Sequence, residues 1–351
     1  MIRSLLVFAS LAAGSSPALA ETPTPVLAFN GFDPVALASG KETPGKESIE
    51  ASYGRFKYRF ANEDNKKAFL DKPDERAIQF GGACGKMGPF SGTGNPTRYH
   101  VHAGRIYIFA SESCRDAFKK DPEKHIDRPN PVPEGSEDER ARGAKLIDRA
   151  LNGFGGAKAV DATKTLTRVE KIVYKQGGKE TVGTGRATWV FPDTVRVEED
   201  YGTPYGHVVK GKSGFELYGK QDWTLEPAMR DDAWRRALRE PLVMLRSRQA
   251  KGFMAVARGA NTVEVSLDGA TSTWTLDEKT GRILKAEFLA RRGTVGDNAV
   301  AYDDFKSVSG LILPHKRTEF FNGKELTVPE KRIESLEVNG DVKADLFVQP
   351  K

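Results

Sequence analysis

The sequence predicts an α+β protein in two parts. A small module of two strand-helix repeats comes first, followed by a large antiparallel β half-barrel with helices on its concave face. Three observations carry that reading. In the first third of the chain a strand-into-helix plan recurs after about fifty residues. From Lys164 onward, strand patterns follow one another at hairpin spacing, separated by turns such as Asp268-Gly269 and Lys279-Thr280-Gly281. One helical stretch, Met229 to Gln249, interrupts that meander. A length of 351 residues also exceeds one ordinary core.

The chain opens with a basic start (Arg3), an apolar run from Leu5 to Ala13 and a small-residue end, Pro17-Ala18-Leu19-Ala20. This predicts a secretory signal over residues 1–20 and a periplasmic or secreted, soluble product. No later stretch approaches the ~20 apolar residues of a membrane helix, so no transmembrane segment is expected. Of the formal net charge of +6 the leader carries only Arg3, and basic and acidic residues interleave, which argues against a nucleic-acid partner. Regular aromatic and β-branched patterning argues against disorder.

The small module is assigned to residues 24–128. Gly54-Arg55 leads to Tyr58, Phe60, Ala61, Glu63, Ala68-Phe69 and Pro73. Gly104-Arg105 leads to Tyr107, Phe109, Ala110, Glu112, Ala117-Phe118 and Pro122. Each unit reads as a hairpin strand feeding a short helix, capped by Asn62 in the first and Ser111 in the second. Cys114 stands where the first unit has Asn65, which confines cysteine chemistry to one half.

Phe32-Asp33-Pro34-Val35-Ala36, Tyr58-Arg59-Phe60-Ala61 with Ala68-Phe69-Leu70, and Gln79-Phe80-Gly81-Gly82-Ala83-Cys84 resemble the bacterial YHS domain. Cys84-Gly85-Lys86-Met87 and Phe109-x-Ser111-x-x-Cys114 are also similar to the metal-associated YHS and TRASH modules. Lys86 interrupts their Cys-Gly-Met, and Val101 replaces the serine expected after Tyr99-His100. The resemblance implies a compact fold and says little about activity.

Two cysteines in an exported chain make a Cys84–Cys114 disulfide the first expectation. The alternatives are free thiols or a metal site. His100 and His102, at i and i+2 of a strand, face one way and could join Cys84 and Cys114 in a four-donor set for zinc or Cu(I). The spacing matches no zinc finger, and a histidine pair on a strand is more often a solvated face. His125 reads as the polar end of the second helix.

Asp127 to Ser136 is a proline-rich linker, so residues 129–143 are read as linker and helix start and 144–351 as the half-barrel. Pro241 divides the helical insertion in two. Ala150-Leu151-Asn152-Gly153-Phe154-Gly155-Gly156, and the closing Val338-Asn339-Gly340-Asp341 with Asp345-Leu346-Phe347, resemble the outer-membrane lipoprotein-sorting (LolA-like) fold. Trp189, Phe191, Trp223, Trp234, Phe253 and Trp274 are candidate cavity-lining aromatics, with ordinary core as the plainer reading. Arg235, Arg236, Arg239, Arg246 and Arg248 read as a solvated helix face.

No His-Glu-x-x-His, Gly-x-Ser-x-Gly, phosphate loop or dinucleotide fingerprint occurs. The expectation is an exported non-enzymatic binding protein. Its half-barrel would hold a hydrophobic small molecule or a lipidated protein, and its YHS module would be metal-responsive or a docking element. The alternatives are a metal-binding or thiol-redox protein acting through Cys84 and Cys114, and a purely structural envelope interaction protein.

Overall fold

The computed structural model describes residues 25–218 and 221–349, so the leader read over residues 1–20 lies outside the described residues. The small module begins with β1 (Val26–Leu27) and α1 (Pro34–Ala38). The hairpin β2 (Lys46–Tyr53) and β3 (Phe56–Phe60) follows, then α2 (Glu63–Asp71) and α3 (Pro73–Arg76). A second hairpin, β4 (Asn95–His102) and β5 (Arg105–Phe109), feeds α4 (Glu112–Lys120). The side chains of Asn62 and Ser111 accept the backbone N–H of Asn65 and Cys114, so both helices start on a satisfied cap. Phe69 and Phe118, both fully buried, occupy matching places. Phe69 meets Tyr58 and Phe60 at 4.7 and 5.2 Å, and Phe118 meets Tyr107 and Phe109 at 4.9 and 5.2 Å.

The duplication reaches further upstream than the sequence pattern does. Val26 pairs in parallel with Phe56, and Ile78 pairs in parallel with Ile106. Phe29 and Asn30 have φ of 55° and 54°, and Phe80 and Gly81 have 61° and 60°. Asp33 N–H donates to the Thr43 carbonyl at 2.9 Å, as Cys84 N–H does to Gly92 at 3.0 Å. Asp33 and Cys84 are therefore counterparts, as are Asn65 and Cys114. The paired segments share backbone geometry with little sequence identity, which is why the sequence pattern shows only the hairpin and helix.

The second part opens with α5 (Glu137–Gly153), started by a Ser136/Glu139 capping box, and α6 (Ala157–Ala162). Then come β6 (Thr165–Gln176), β7 (Lys179–Val190), β8 (Thr194–Asp200), β9 (Pro204–Lys210), β10 (Ser213–Tyr218) and β11 (Gln221–Thr224). The helical insertion is α7 (Pro227–Leu238) and α8 (Pro241–Arg246), with Pro241 at the first position of α8. The chain continues through β12 (Met254–Ala257), β13 (Thr262–Leu267), β14 (Ala270–Leu276) and β15 (Ile283–Arg292). It ends with β16 (Thr294–Val308), β17 (Leu311–Phe321), β18 (Lys324–Glu325) and β19 (Glu330–Val338).

These strands form two seven-stranded sheets, ordered β11-β10-β9-β8-β7-β6-β19 and β12-β13-β14-β15-β16-β17-β18, and every pairing is antiparallel. β19 lies against β17, where the two sheets meet, while β11 and β12 are not bonded to each other. The result is an unclosed antiparallel half-barrel. α7 packs on β9, β10 and β14 and so crosses between the sheets, and α5 covers the edge strand β12 and its neighbour β13. The Leu242–Leu245 run of α8 is essentially fully buried and fills the concave side.

One charged cluster joins helix to sheet. Glu240, just before α8, accepts from Arg168 of β6 at 2.7 Å and from Arg317 of β17 at 3.1 Å. It therefore bridges the two sheets where they meet. The arginines read as a solvated helix face behave otherwise. Arg235 and Arg239 are buried, and Arg246 donates to the Thr163 carbonyl at 3.1 Å. The helix lies in the barrel, so a face that is polar in sequence has sheet rather than solvent around it.

Candidate functional site

In the first repeat Asp33 is fully buried, and its Oδ2 accepts from the Asn65 amide at 2.7 Å and from Ala61 N–H at 2.8 Å. In the second repeat Cys84 is fully buried, the Ala110 N–H points at its Sγ at 3.4 Å, and Cys114 packs against the same small cluster. A polar clasp in one half is thus replaced by a pair of sulfurs in the other. Both cysteines are thiols in the structure, Cys84 buried and Cys114 half-buried. The Ser111 hydroxyl, with a smaller contribution from Cys84, holds the Cys114 thiol below its ordinary pKa.

The proposed four-donor set is not assembled. Among the described residues no three His, Cys, Asp or Glu side chains come together in a way that could hold a metal ion. His100 and His102 share a strand face, but both rings meet the edge of Phe118, 6.2 Å away between centroids. His102 Nε2 lies 2.9 Å from Glu123 Oε1. This contact repeats the Tyr53 hydroxyl to Asp74 hydrogen bond of the first half, so His102 occupies a structural position. Burial, reinforced by Lys119, lowers the His100 pKa. The residues therefore do not fit a tetrahedral Cys2His2 site for zinc. His125, expected at a polar helix end, is buried and stacks on Phe118 at 5.8 Å.

The candidate aromatics separate as well. Trp189 and Trp274 are buried in the main core, and Phe191, Trp234 and Phe253 pack against that core. Trp223 stands apart from them and lines an open cavity.

That cavity lies between the modules and has a volume of about 880 Å³. Val26, Arg55 and Phe56 of the small module form one side with the Phe90–Thr93 loop. Residues of β8, β9 and β10, together with Trp223, form the other. Phe90 stacks on His207 at 4.5 Å, and the Arg236 guanidinium lies 5.8 Å from the Phe90 ring. Arg55 pairs with Glu216 and sits 4.8 Å from the Trp223 ring, so the modules are joined by an ion pair on the cleft wall. Burial, helped by Arg236, pushes the His207 pKa down to about 4, so the ring is neutral there. Beside the cleft, Glu226 approaches Gly54 and Gly81 of the small module. Burial and the nearby Asp74 raise its pKa to about 7.

Of these residues the sequence singled out Trp223 as a cavity candidate and Arg236 as part of a charged helix face. Phe90, His207, Arg55 and Glu216 come from four separate segments, and no spacing rule links them. Arg55 in the repeated Gly-Arg hairpin was the one available sign.

No protein-family model matches the chain, and no curated protein sequence matches it. Solved structures similar to it include the following three. One is described as an outer membrane lipoprotein-sorting protein domain from Vibrio parahaemolyticus, with 13% identity, 58% of this chain and 97% of that one covered, and a TM-score of 0.36. Another is a LolA superfamily protein from Nitrosomonas europaea, with 10% identity, 59% and 97% covered, and a TM-score of 0.39. A DUF1329 family protein from Desulfovibrio piger has 11% identity, 59% and 97% covered, and a TM-score of 0.34. The half-barrel description rests on this chain's own strand order and pairing.

Proposed function

We propose that this protein is an exported, non-enzymatic binding protein that takes an apolar ligand, such as an acyl chain, in the cleft between its modules. One observation carries the reading: an open cavity of about 880 Å³ has an apolar wall of Val26, Phe56, Phe90, Val197, Leu217 and Trp223 drawn from both modules. Cavities of several hundred Å³ lined largely by apolar and aromatic groups are the usual form of small-molecule sites. On the concave side of the half-barrel, Leu242 to Leu245 of α8 are buried in the core. A free lipid and the lipid group of a modified protein would present the same chemistry. The resemblance of Ala150 to Gly156 and of Asp345 to Phe347 to lipoprotein-sorting domains agrees with either source.

Among the described residues of the cleft no nucleophile–base–orienter arrangement is formed. His207 is neutral and covered by Phe90, and Glu216 is paired with Arg55. The test is binding of a fluorescent fatty-acid probe to the purified protein. Trp223→Ala and Phe90→Ala should each weaken binding about 10-fold, as loss of a buried aromatic contact does. No probe binding, or binding unaffected by both variants, rejects the cleft as the site.

A further inference from the structure

We propose that Cys84 and Cys114 form a reversible dithiol–disulfide site, a redox latch at the root of the loop that supplies Phe90 to the cleft. The proposal does not depend on what the cleft binds. Its basis is the internal duplication. Asp33 and Asn65 close the first half by hydrogen bonds alone, with Asp33 accepting from Asn65 and from Ala61 N–H. Cys84 and Cys114 occupy the same two places and keep the same backbone donor, Ala110 N–H. The fold therefore closes this point without a covalent bond, and the reduced state is a folded state. Cys114 packs against the small cluster that contains Cys84, so the two thiols are neighbours in the reduced fold.

The surroundings suit exchange chemistry. Cys114 is the half-buried partner and lies in the first turn of α4, with the Ser111 hydroxyl beside it. Cys84 is sealed from solvent. An incoming thiolate should therefore form at Cys114, and Cys84 should resolve. The Cys114 thiolate attacks one sulfur of a donor disulfide, such as oxidised glutathione or a protein disulfide, and expels a donor thiolate. Cys84, giving up its proton, attacks the Cys114 sulfur and releases the second donor thiol. The donor gains two electrons and two protons, and the protein loses them.

The bond would act on the cleft through the backbone. Cys84 N–H holds the Gly92 carbonyl at 3.0 Å, and the Cys84 carbonyl accepts from Met87 and Gly88 at 2.8 and 2.7 Å. The loop between these points carries Phe90, whose φ is +62° and whose ring covers His207. Fixing Cys84 to α4 fixes both ends of that loop.

The test equilibrates the full mature chain in glutathione buffers of graded potential, alkylates free thiols and weighs the intact protein. Both thiols should disappear together at one midpoint, with a mass lower by about 2 Da before alkylation, as expected for loss of two hydrogens. Hydrogen exchange at residues 85–92 should slow about 10-fold in the oxidised protein. Cys114→Ser should remove the transition and leave Cys84 without glutathione. The double variant Cys84→Asp with Cys114→Asn installs the clasp of the first half, and its exchange should be the same in every buffer. Should that variant fail to fold, the wild-type and Cys114→Ser measurements still decide. Thiols that persist at the most oxidising potential, glutathione held on Cys114 as the end product, or a retained metal ion blocking alkylation would each overturn the proposal.

Discussion

Glu240 shows how one residue can hold a fold of this kind together. It lies half-buried between Arg168 and Arg317, which belong to different sheets, and their charges keep its carboxyl ionised against the cost of burial. Removing Glu240 takes an ion-pair partner from Arg317 and leaves Arg168 with Glu170 at 3.1 Å, which costs more than losing a surface pair. Glu240→Ala should therefore lower stability by about 3 kcal/mol. A urea titration checks this, and a loss under about 1 kcal/mol would mean that water reaches the arginines. At this scale the sequence was legible only in part. That Cys84 and Cys114 would lie near one another followed from their being the only cysteines, although they stand as thiols and not in the expected disulfide. The role of His102 did not, because its partner Glu123 comes from a later turn and its counterpart Tyr53 is a different residue type.

Among the elements, α4 is the most informative. Ser111 accepts the Cys114 N–H at 3.2 Å, so the same cap starts the helix and places the thiol. Ser111→Ala should cost about 1 kcal/mol of stability. It should also raise the Cys114 thiol pKa, because the hydroxyl is the main influence lowering it. Thiol alkylation rates measured against pH test the second effect, and an unchanged rate profile would assign the lowering to Cys84 instead. The loop after Cys84 is held from the other side as well. Gly88 has φ +80°, and a Cβ there would fall 2.2 Å from the Arg291 guanidinium, so the half-barrel packs directly on the loop backbone. Long strands such as β6 and β17 could be read from alternation, and the α7–α8 break from Pro241. β11 was missed because four residues are too few to establish a period.

Across the whole molecule, the junction of the modules carries two groups with opposed proton preferences. Glu226 goes from an ordinary value of 4.5 to about 7 in the folded protein. Between these values the native state holds a proton that the unfolded chain has released, so this contribution to stability is present at low pH and is lost as pH rises towards 7. His207 goes from 6.5 to about 4, so between those values the unfolded chain binds a proton that the native state refuses. Its contribution is present above 6.5 and is lost as pH falls towards 4. The two offset each other between pH 4.5 and 6.5. Relative to the wild type, Glu226→Gln should become less stable as pH falls through that window, and His207→Gln should become less stable as it rises. Denaturant midpoints across the window would show this, and parallel profiles for all three proteins would contradict it.

The sequence by itself determined the α+β class, the repeated small module, the antiparallel meander, the split helical insertion and the confinement of sulfur chemistry to one pair. Each depends on local preferences such as side-chain period, caps, turns and proline, which neighbouring residues express without help from distant ones. Tertiary structure alone decided three further points. It packed α8 into the barrel and buried Leu242 to Leu245 in the core. It set Cys84 and Cys114 opposite Asp33 and Asn65 in a pseudo-symmetric pair of clasps, and it opened the cleft between the modules. Those outcomes depend on which distant surfaces meet, and the residues concerned, from Arg55 to Trp223, have no periodicity that could announce their meeting.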